Sequence, residues 1–156
     1  QELSVFDNIR SGVRSRHGLR YHFFRRPDHN RQINERTDAI VREVGLKDVM
    51  HVPASVLSYG QQRALEIGIT LSTDPKLILL DEPTAGMTRE ETEQAIRMID
   101  RVTAGRTLII IEHDMDVVFS LANTISVLHY GKILVSGIPE RIRNDQRVKD
   151  AYLGEE

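Results

Sequence analysis

The sequence predicts an α/β fold: a mostly helical first part leads into a parallel-sheet core that carries a small antiparallel hairpin. Three observations predict it. Residues 1–72 show helical spacing and helix caps, residues 77–80 and 107–111 are short apolar runs separated by a long amphipathic stretch, and residues 124–128 and 133–135 flank the turn pair Tyr130-Gly131. Strand–helix–strand alternation is the pattern of parallel strands joined by a crossover helix. The 156 residues are 40% hydrophobic and 28% charged, which suits a chain with a core rather than a disordered one. A formal charge of −2 gives no global attraction for nucleic acid or anionic lipid. The absence of cysteine excludes disulfides and cysteine-based zinc sites. No apolar run approaches the roughly 20 residues needed to span a bilayer.

Taken in order, Ser4 and Asp7 have capping-box spacing, and Phe6, Ile9 and Val13 follow a helical period. From Arg10 to Arg31 the chain carries seven arginines against one acid, Asp28, mixed with Tyr21, Phe23 and Phe24, and Pro27 argues against one long helix there. Asn34 is placed to cap a helix bearing Ile40, Val41 and Val44 and ending at Gly45. Ser58 is an N-cap candidate for a helix with Leu65 and Ile69 among its apolar positions. The unbroken apolar run 77–80 predicts a strand buried on both faces. Thr88 and Glu91 form a second capping box, opening a helix with Ile96, Ile99 and Val102 inward. Thr107–Ile111 reads as the next strand, and Asp114 caps a short helix after it. A hairpin turns at Tyr130-Gly131, and Pro139 and Asp145 begin two terminal helices. The expected division is a helical part, residues 1–72, and a core part, residues 73–156.

Three short constellations carry chemistry. Asp81 and Glu82 follow the 77–80 strand and precede Pro83, so two acids stand at the carboxyl end of a parallel strand, where open α/β sheets bind ligands. The first acid suits magnesium, usually through water, because a hard cation takes oxygen ligands. The second can orient or polarise a water that attacks a terminal phosphate. Ser58-Tyr59-Gly60-Gln61 opens a helix, where free backbone amides make an anion site and Gly60 allows close approach. His113 follows the 107–111 strand between Glu112 and Asp114, placed to donate a hydrogen bond to phosphate. Each alone also describes an ordinary acidic turn, capped helix or loop histidine; their combination in one order is what points to nucleotide chemistry. The remaining histidines, His17, His22, His29, His51 and His129, have no metal-ligand spacing.

At these residues the chain resembles the nucleotide-binding subunit of ABC transporters. Leu57-Ser58-Tyr59-Gly60-Gln61 resembles the signature motif LSGGQ, with Tyr59 in place of the first glycine. Residues 77–82 resemble the Walker B strand with its catalytic glutamate at Glu82, and His113 resembles the switch histidine. More narrowly, Leu57-Ser58-Tyr59-Gly60-Gln61-Gln62-Arg63, Thr84-Ala85-Gly86-Met87-Thr88, Glu112-His113-Asp114-Met115 and Ala151-Tyr152-Leu153-Gly154-Glu155 are similar to branched-chain amino acid importer ATPases, with urea importer ATPases close behind. Thr88 departs from the pattern, standing where many of these proteins carry the aspartate of the D-loop. No G-x-x-x-x-G-K-[ST] loop occurs in the 156 residues, and Gln1-Glu2-Leu3-Ser4 reads as a chain entered midway. The expectation is the later part of a P-loop NTPase fold, with the phosphate-cradling Walker A loop ahead of Gln1.

The resemblance implies an ATPase that powers uptake of branched-chain amino acids or a similar small polar solute, using ATP and Mg²⁺. It implies a dimer with a second ATPase subunit in which Asp81, Glu82 and His113 serve one ATP while Ser58, Tyr59, Gly60 and Gln61 serve the ATP of the partner. Asp81 would hold magnesium through water. It further implies transmembrane permease subunits as partners, no nucleic acid, and a peripheral position on the cytoplasmic face of the membrane. The 156 residues alone are expected to be inactive and to self-associate. Two other classes fit the same motifs: a soluble ABC ATPase acting on DNA or ribosomes, and a non-catalytic interaction fragment.

Overall fold

The computed structural model describes residues 3–16 and 31–153. Most of the arginine-rich, aromatic stretch and its Pro27 lie outside the described residues. The chain packs into two compact units, Gln1–Ile111 and Glu112–Glu156.

The first unit opens with three helices, α1 (Val5–Arg16), α2 (Arg31–Glu43) and α3 (Tyr59–Ser72). Ser4 Oγ accepts from the Asp7 amide at 3.1 Å and donates to the Asp7 carboxylate at 2.7 Å, which fixes the start of α1 as expected. Its inward stripe is Val5, Ile9 and Val13 at i, i+4, i+8, with Ile9 and Val13 as expected and Val5 in place of Phe6. Asn34 does not cap α2. The helix begins at Arg31, so Asn34 lies within its first turn, and Ile33, Ile40 and Val41 face the core. Gly45, at φ 76°, ends the helical run, its amide bonded to the Arg42 carbonyl. α1 and α3 cross closely because both are notched by glycine. A β-carbon at Gly68 would lie 3.0 Å from Ile9 Cδ1, and one at Gly12 would overlap the Ser72 hydroxyl. On α3, Ala64, Leu65, Ile67 and Leu71 are buried, whereas Ile69 is exposed, against expectation.

Strand β1 (Leu77–Asp81) pairs in parallel with β2 (Thr107–Ile111), Leu77 opposite Thr107 and Asp81 opposite Ile111. The crossover is α4 (Arg89–Thr103), opened by the expected capping box of Thr88 and Glu91, with Ile99 and Val102 buried and Ile96 half-buried. Among the described residues the sheet is not covered on both faces. Ile78 is buried at 1% exposure, but Leu79 is 67% and Ile111 61% exposed on the opposite face. Side chains alternate across a strand, so an apolar run without alternation fills both faces whether or not both find neighbours. Asp74, in the turn between α3 and β1 at φ 51°, meets Arg16 Nη2 at 2.7 Å and Arg106 Nη2 at 3.4 Å. Arg16 first, then Arg106, holds its carboxyl below the usual range. This bridge ties the end of α1 to the turns that lead into β1 and β2. Arg101 adds a second tie, donating across from α4 to the Glu43 carbonyl at 2.7 Å.

The second unit contains α5 (Met115–Leu121), the hairpin β3 (Ile125–His129) and β4 (Lys132–Gly137), α6 (Pro139–Asn144) and α7 (Gln146–Leu153). Asp114 caps α5 by accepting from the Asp116 and Val117 amides, as expected. The hairpin turns at Tyr130 (φ 46°) and Gly131 (φ 74°), the pair of positive φ values that matches the twist of two strands. Pro139 stands at the start of α6, and Asp145 accepts from the Arg147 amide at the start of α7. Ile125, Val127, Val135, Ile142 and Val148 form the core of this unit.

Candidate functional site

The signature-like segment is built by a cap. Ser58 is extended (φ −62°, ψ 162°) and its hydroxyl accepts from the Gln61 amide, while the Gln61 side chain accepts from the Ser58 amide at 3.0 Å. The side chains of Ser58 and Gln61 are therefore engaged within the chain. The amides of Tyr59 and Gly60, the first two of α3, make no hydrogen bond among the described residues and remain available to an anion. The positive end of the α3 dipole adds to that preference.

Tyr59 is braced rather than loose. Its hydroxyl accepts from Arg63 Nε at 3.2 Å and Nη2 at 2.9 Å, and Arg63 Nη1 bonds Glu66 at 2.7 Å. The bonds to Glu66 and Tyr59 raise the Arg63 pKa, so the guanidinium stays charged. The spacings 59–63 and 63–66 are helical neighbours, so this braid was readable in the sequence even though the motif that ends at Arg63 was given no such role.

Asp81 ends β1 and is exposed; Glu82 follows and is exposed too. The Glu82 amide extends the ladder by one bond, to the Ile111 carbonyl at 2.9 Å. Glu82 then takes φ 44°, the left-handed region, which costs a non-glycine residue about 1–3 kcal/mol and tends to mark functional sites. The chain turns with the Ala85 amide on the Glu82 carbonyl at 3.2 Å and Met87 on Thr84 at 3.1 Å. Pro83 and Thr84 are buried beneath this turn.

Two open clefts join these parts within the first unit. One, of about 370 Å³, is lined by Ser58, Gly60 and Gln61 from the start of α3 together with Pro83, Met87 and Glu91. The other, of about 190 Å³, brings Asp81 and Leu79 together with Arg63 and Glu66. His113 belongs to the second unit, where it is exposed, one residue before the Asp114 cap. Thr88 is occupied as the cap of α4: its amide and hydroxyl both donate to Glu91 Oε2 at 2.9 Å, which lowers the Glu91 pKa.

A model of the ABC transporter family matches residues 1–85. The chain belongs to the ABC transporter family. A second family, branched-chain amino acid ATP-binding cassette transporter, matches residues 132–156 of this ABC chain. The chain is 40% identical over 117 residues to the high-affinity branched-chain amino acid transport ATP-binding protein BraF of Pseudomonas aeruginosa, covering 74% of itself and 46% of that protein. It is 34% identical over 162 residues to LivG of Escherichia coli K12, which carries the same description, covering 99% of itself and 64% of LivG. Among solved structures, MJ1267, an ATP-binding cassette of an ABC transporter, superposes with a TM-score of 0.78 at 26% identity, over 97% of this chain and 63% of that one. A nucleotide-free ATP-binding cassette from an ABC transporter gives 0.76 at 27%, over 99% and 64%. The chain thus spans about half to two-thirds of the relatives it matches and has the incomplete ABC ATPase fold that the motifs implied.

Proposed function

We propose that this chain is part of the ATP-hydrolysing subunit of an importer for branched-chain amino acids or a similar small polar solute. The observation that carries the reading is the alignment with LivG along 99% of the chain. It is supported by the separate match of residues 132–156 to the branched-chain family and by the shared cleft between the signature segment and the turn after Glu82. In the relatives' descriptions the ATP-binding protein serves amino acid transport, and we carry that role to this chain.

In this reading the Tyr59 and Gly60 amides, presented by the Ser58–Gln61 cap, receive the terminal phosphate of an ATP held by a second ATPase subunit. Glu82 accepts a hydrogen bond from the attacking water, and His113 donates to the phosphate of the chain's own ATP. Magnesium fits the donor set. Among the described residues no three acids or histidines converge on one point, and Asp81 offers a single exposed carboxylate. Mg²⁺ is commonly held by one or two carboxylates, with phosphate oxygens and water completing its shell. When bound, the ion neutralises charge on the phosphates.

Residues 1–72 act as the arm that meets transmembrane permease subunits, and residues 73–156 as the catalytic part, at the cytoplasmic face of the membrane. Among the described residues no helix is long and apolar enough to cross a membrane. The 156 residues contain no phosphate-cradling loop, so by themselves they are inactive in this reading.

The test is made on the complete protein. Glu82→Gln keeps the shape but loses the charge that polarises water, so hydrolysis falls by about 10²–10⁴ while ATP binding persists. Unchanged turnover would remove Glu82 from this role. In the Glu82→Gln background, Ser58→Arg blocks the partner's phosphate and abolishes the ATP-dependent dimer in gel filtration. An unaltered dimer would end the composite-site reading.

A further inference from the structure

We propose that Tyr59 is a positioning residue, a brace that couples the start of α3 to the turn carrying Glu82. The proposal rests on the roles given above to residues 58–61 and Glu82, and it adds how the two are linked inside one subunit. The first link is the ring itself. Arg63 pins the Tyr59 hydroxyl through two nitrogens and lies 5.2 Å from the ring centre, so the ring is held in place although 45% of the residue is exposed. Its Cε1 edge faces Gly86, where a β-carbon would be in contact at 3.8 Å. Gly86 has φ 76°, a conformation that ordinary side chains resist, so no side chain stands between the backbone there and the nearby ring.

The next residue makes a second link. A β-carbon at Gly60 would lie 3.7 Å from Glu91 Oε1, and the other oxygen of Glu91 is fixed by the Thr88 amide and hydroxyl. The first two residues of α3 therefore lie beside the two ends of the 86–91 segment, within about the width of a methyl group. That segment is continuous with Glu82 through two turn bonds, from Ala85 to Glu82 and from Met87 to Thr84. Glu82 itself sits in the left-handed region, a conformation that persists only while its surroundings hold it. A shift of the α3 start on binding the partner's phosphate would thus press on the support of the chain's own acid. Tyr59 and Thr88, the two departures from the family pattern, stand on the same pair of contacts. The ring at position 59 narrows the gap to Gly86, which a glycine there would leave wide.

The experiment uses the intact protein in its assembled complex and reads two quantities: steady-state ATP hydrolysis, and hydrogen exchange of the Glu82, Ala85 and Met87 amides. Tyr59→Gly removes the brace, so kcat falls by about tenfold or more through misplacement of Glu82, while KM for ATP stays within about twofold. The three amides exchange faster. Tyr59→Phe loses the Arg63 bonds but keeps the ring against Gly86, and rescues both readouts relative to Tyr59→Gly. Should Tyr59→Gly fail to fold, Tyr59→Ala, which removes the ring but keeps a good helix former at the start of α3, accelerates the same amides. Unchanged exchange in the variant that folds overturns the proposal, and so does a Tyr59→Phe protein as impaired as Tyr59→Gly. A wild-type complex without ATPase activity would instead end the reading of the site, and the exchange comparison would still decide whether Tyr59 braces the turn.

Discussion

Single residues carry their chemistry through their immediate hydrogen-bond partners, and Asp145 shows this most directly. Arg147 binds it with Nε at 3.0 Å and Nη2 at 2.7 Å, and donates its amide as well. These bonds, the side-chain one foremost, hold the carboxyl down to about 2. A carboxyl lowered in the fold favours folding only when ionised. Its contribution is complete above the ordinary carboxylate pKa of about 4 and drains away as pH falls toward about 2. A carbon-detected NMR titration is expected to give Asp145 a midpoint near the lower value, and Arg147→Ala to return it toward about 4. A wild-type midpoint near 4 would mean that the fork does not persist in solution. At the same scale, the capping roles of Ser4, Ser58, Thr88 and Asp114 were legible in the sequence, because an N-cap is decided within four residues. The left-handed backbone of Glu82 was not, since a glutamate carries no sign of it.

At the level of elements, period and punctuation were enough to find nearly every helix and strand. They failed where the outcome depends on a neighbour. Asn34 has the chemistry of a cap, but the buried stripe of Ile33, Thr37, Ile40 and Val41 recruits the residues before it into α2. Ile69 has the right spacing on α3, yet α1 approaches along Gly68 and Ser72 and leaves it outside. The α1–α3 crossing is decided by two missing side chains. Gly12→Ala drives a methyl group into the Ser72 hydroxyl, whose β-carbon would lie 2.9 Å away and which is itself bonded to the Ile69 carbonyl. The expected cost is about 1–3 kcal/mol of overpacking, outweighing the better helix propensity of alanine. Denaturant unfolding of the intact protein checks it, and a more stable Gly12→Ala variant would show that the helices can slide apart freely.

For the molecule as a whole, the exposed face of the β1–β2 pair is the dominant fact. Leu77, Leu79, Ile109 and Ile111 present four large apolar side chains on one side of a two-stranded parallel sheet. Parallel sheets are ordinarily covered on both faces, and open strand edges pair with other chains. Prepared as these 156 residues, the protein is expected to self-associate, which light scattering would register as species larger than the monomer. It is also expected not to bind Mg²⁺–ATP measurably by calorimetry. Asp81 and Glu82, without the amides and lysine of a phosphate loop beside them, repel the anionic tail. Micromolar ATP binding by a stable monomer would refute both expectations.

The fold class, the caps, the hairpin turn and the order of the motifs were legible without coordinates, because each is set by residues close together in the chain. The family and its nucleotide chemistry were also legible there, through the fixed order of Ser58-Tyr59-Gly60-Gln61, Asp81-Glu82 and His113. Which strand face stays open, that Asp74 gathers Arg16 and Arg106, and that Tyr59 lies near Gly86 emerge only in the packed chain. The residues so paired lie 27 to 58 positions apart. No periodicity of 2 or 3.6 encodes such pairs, since they arise only when packed elements bring distant side chains within van der Waals and ionic reach.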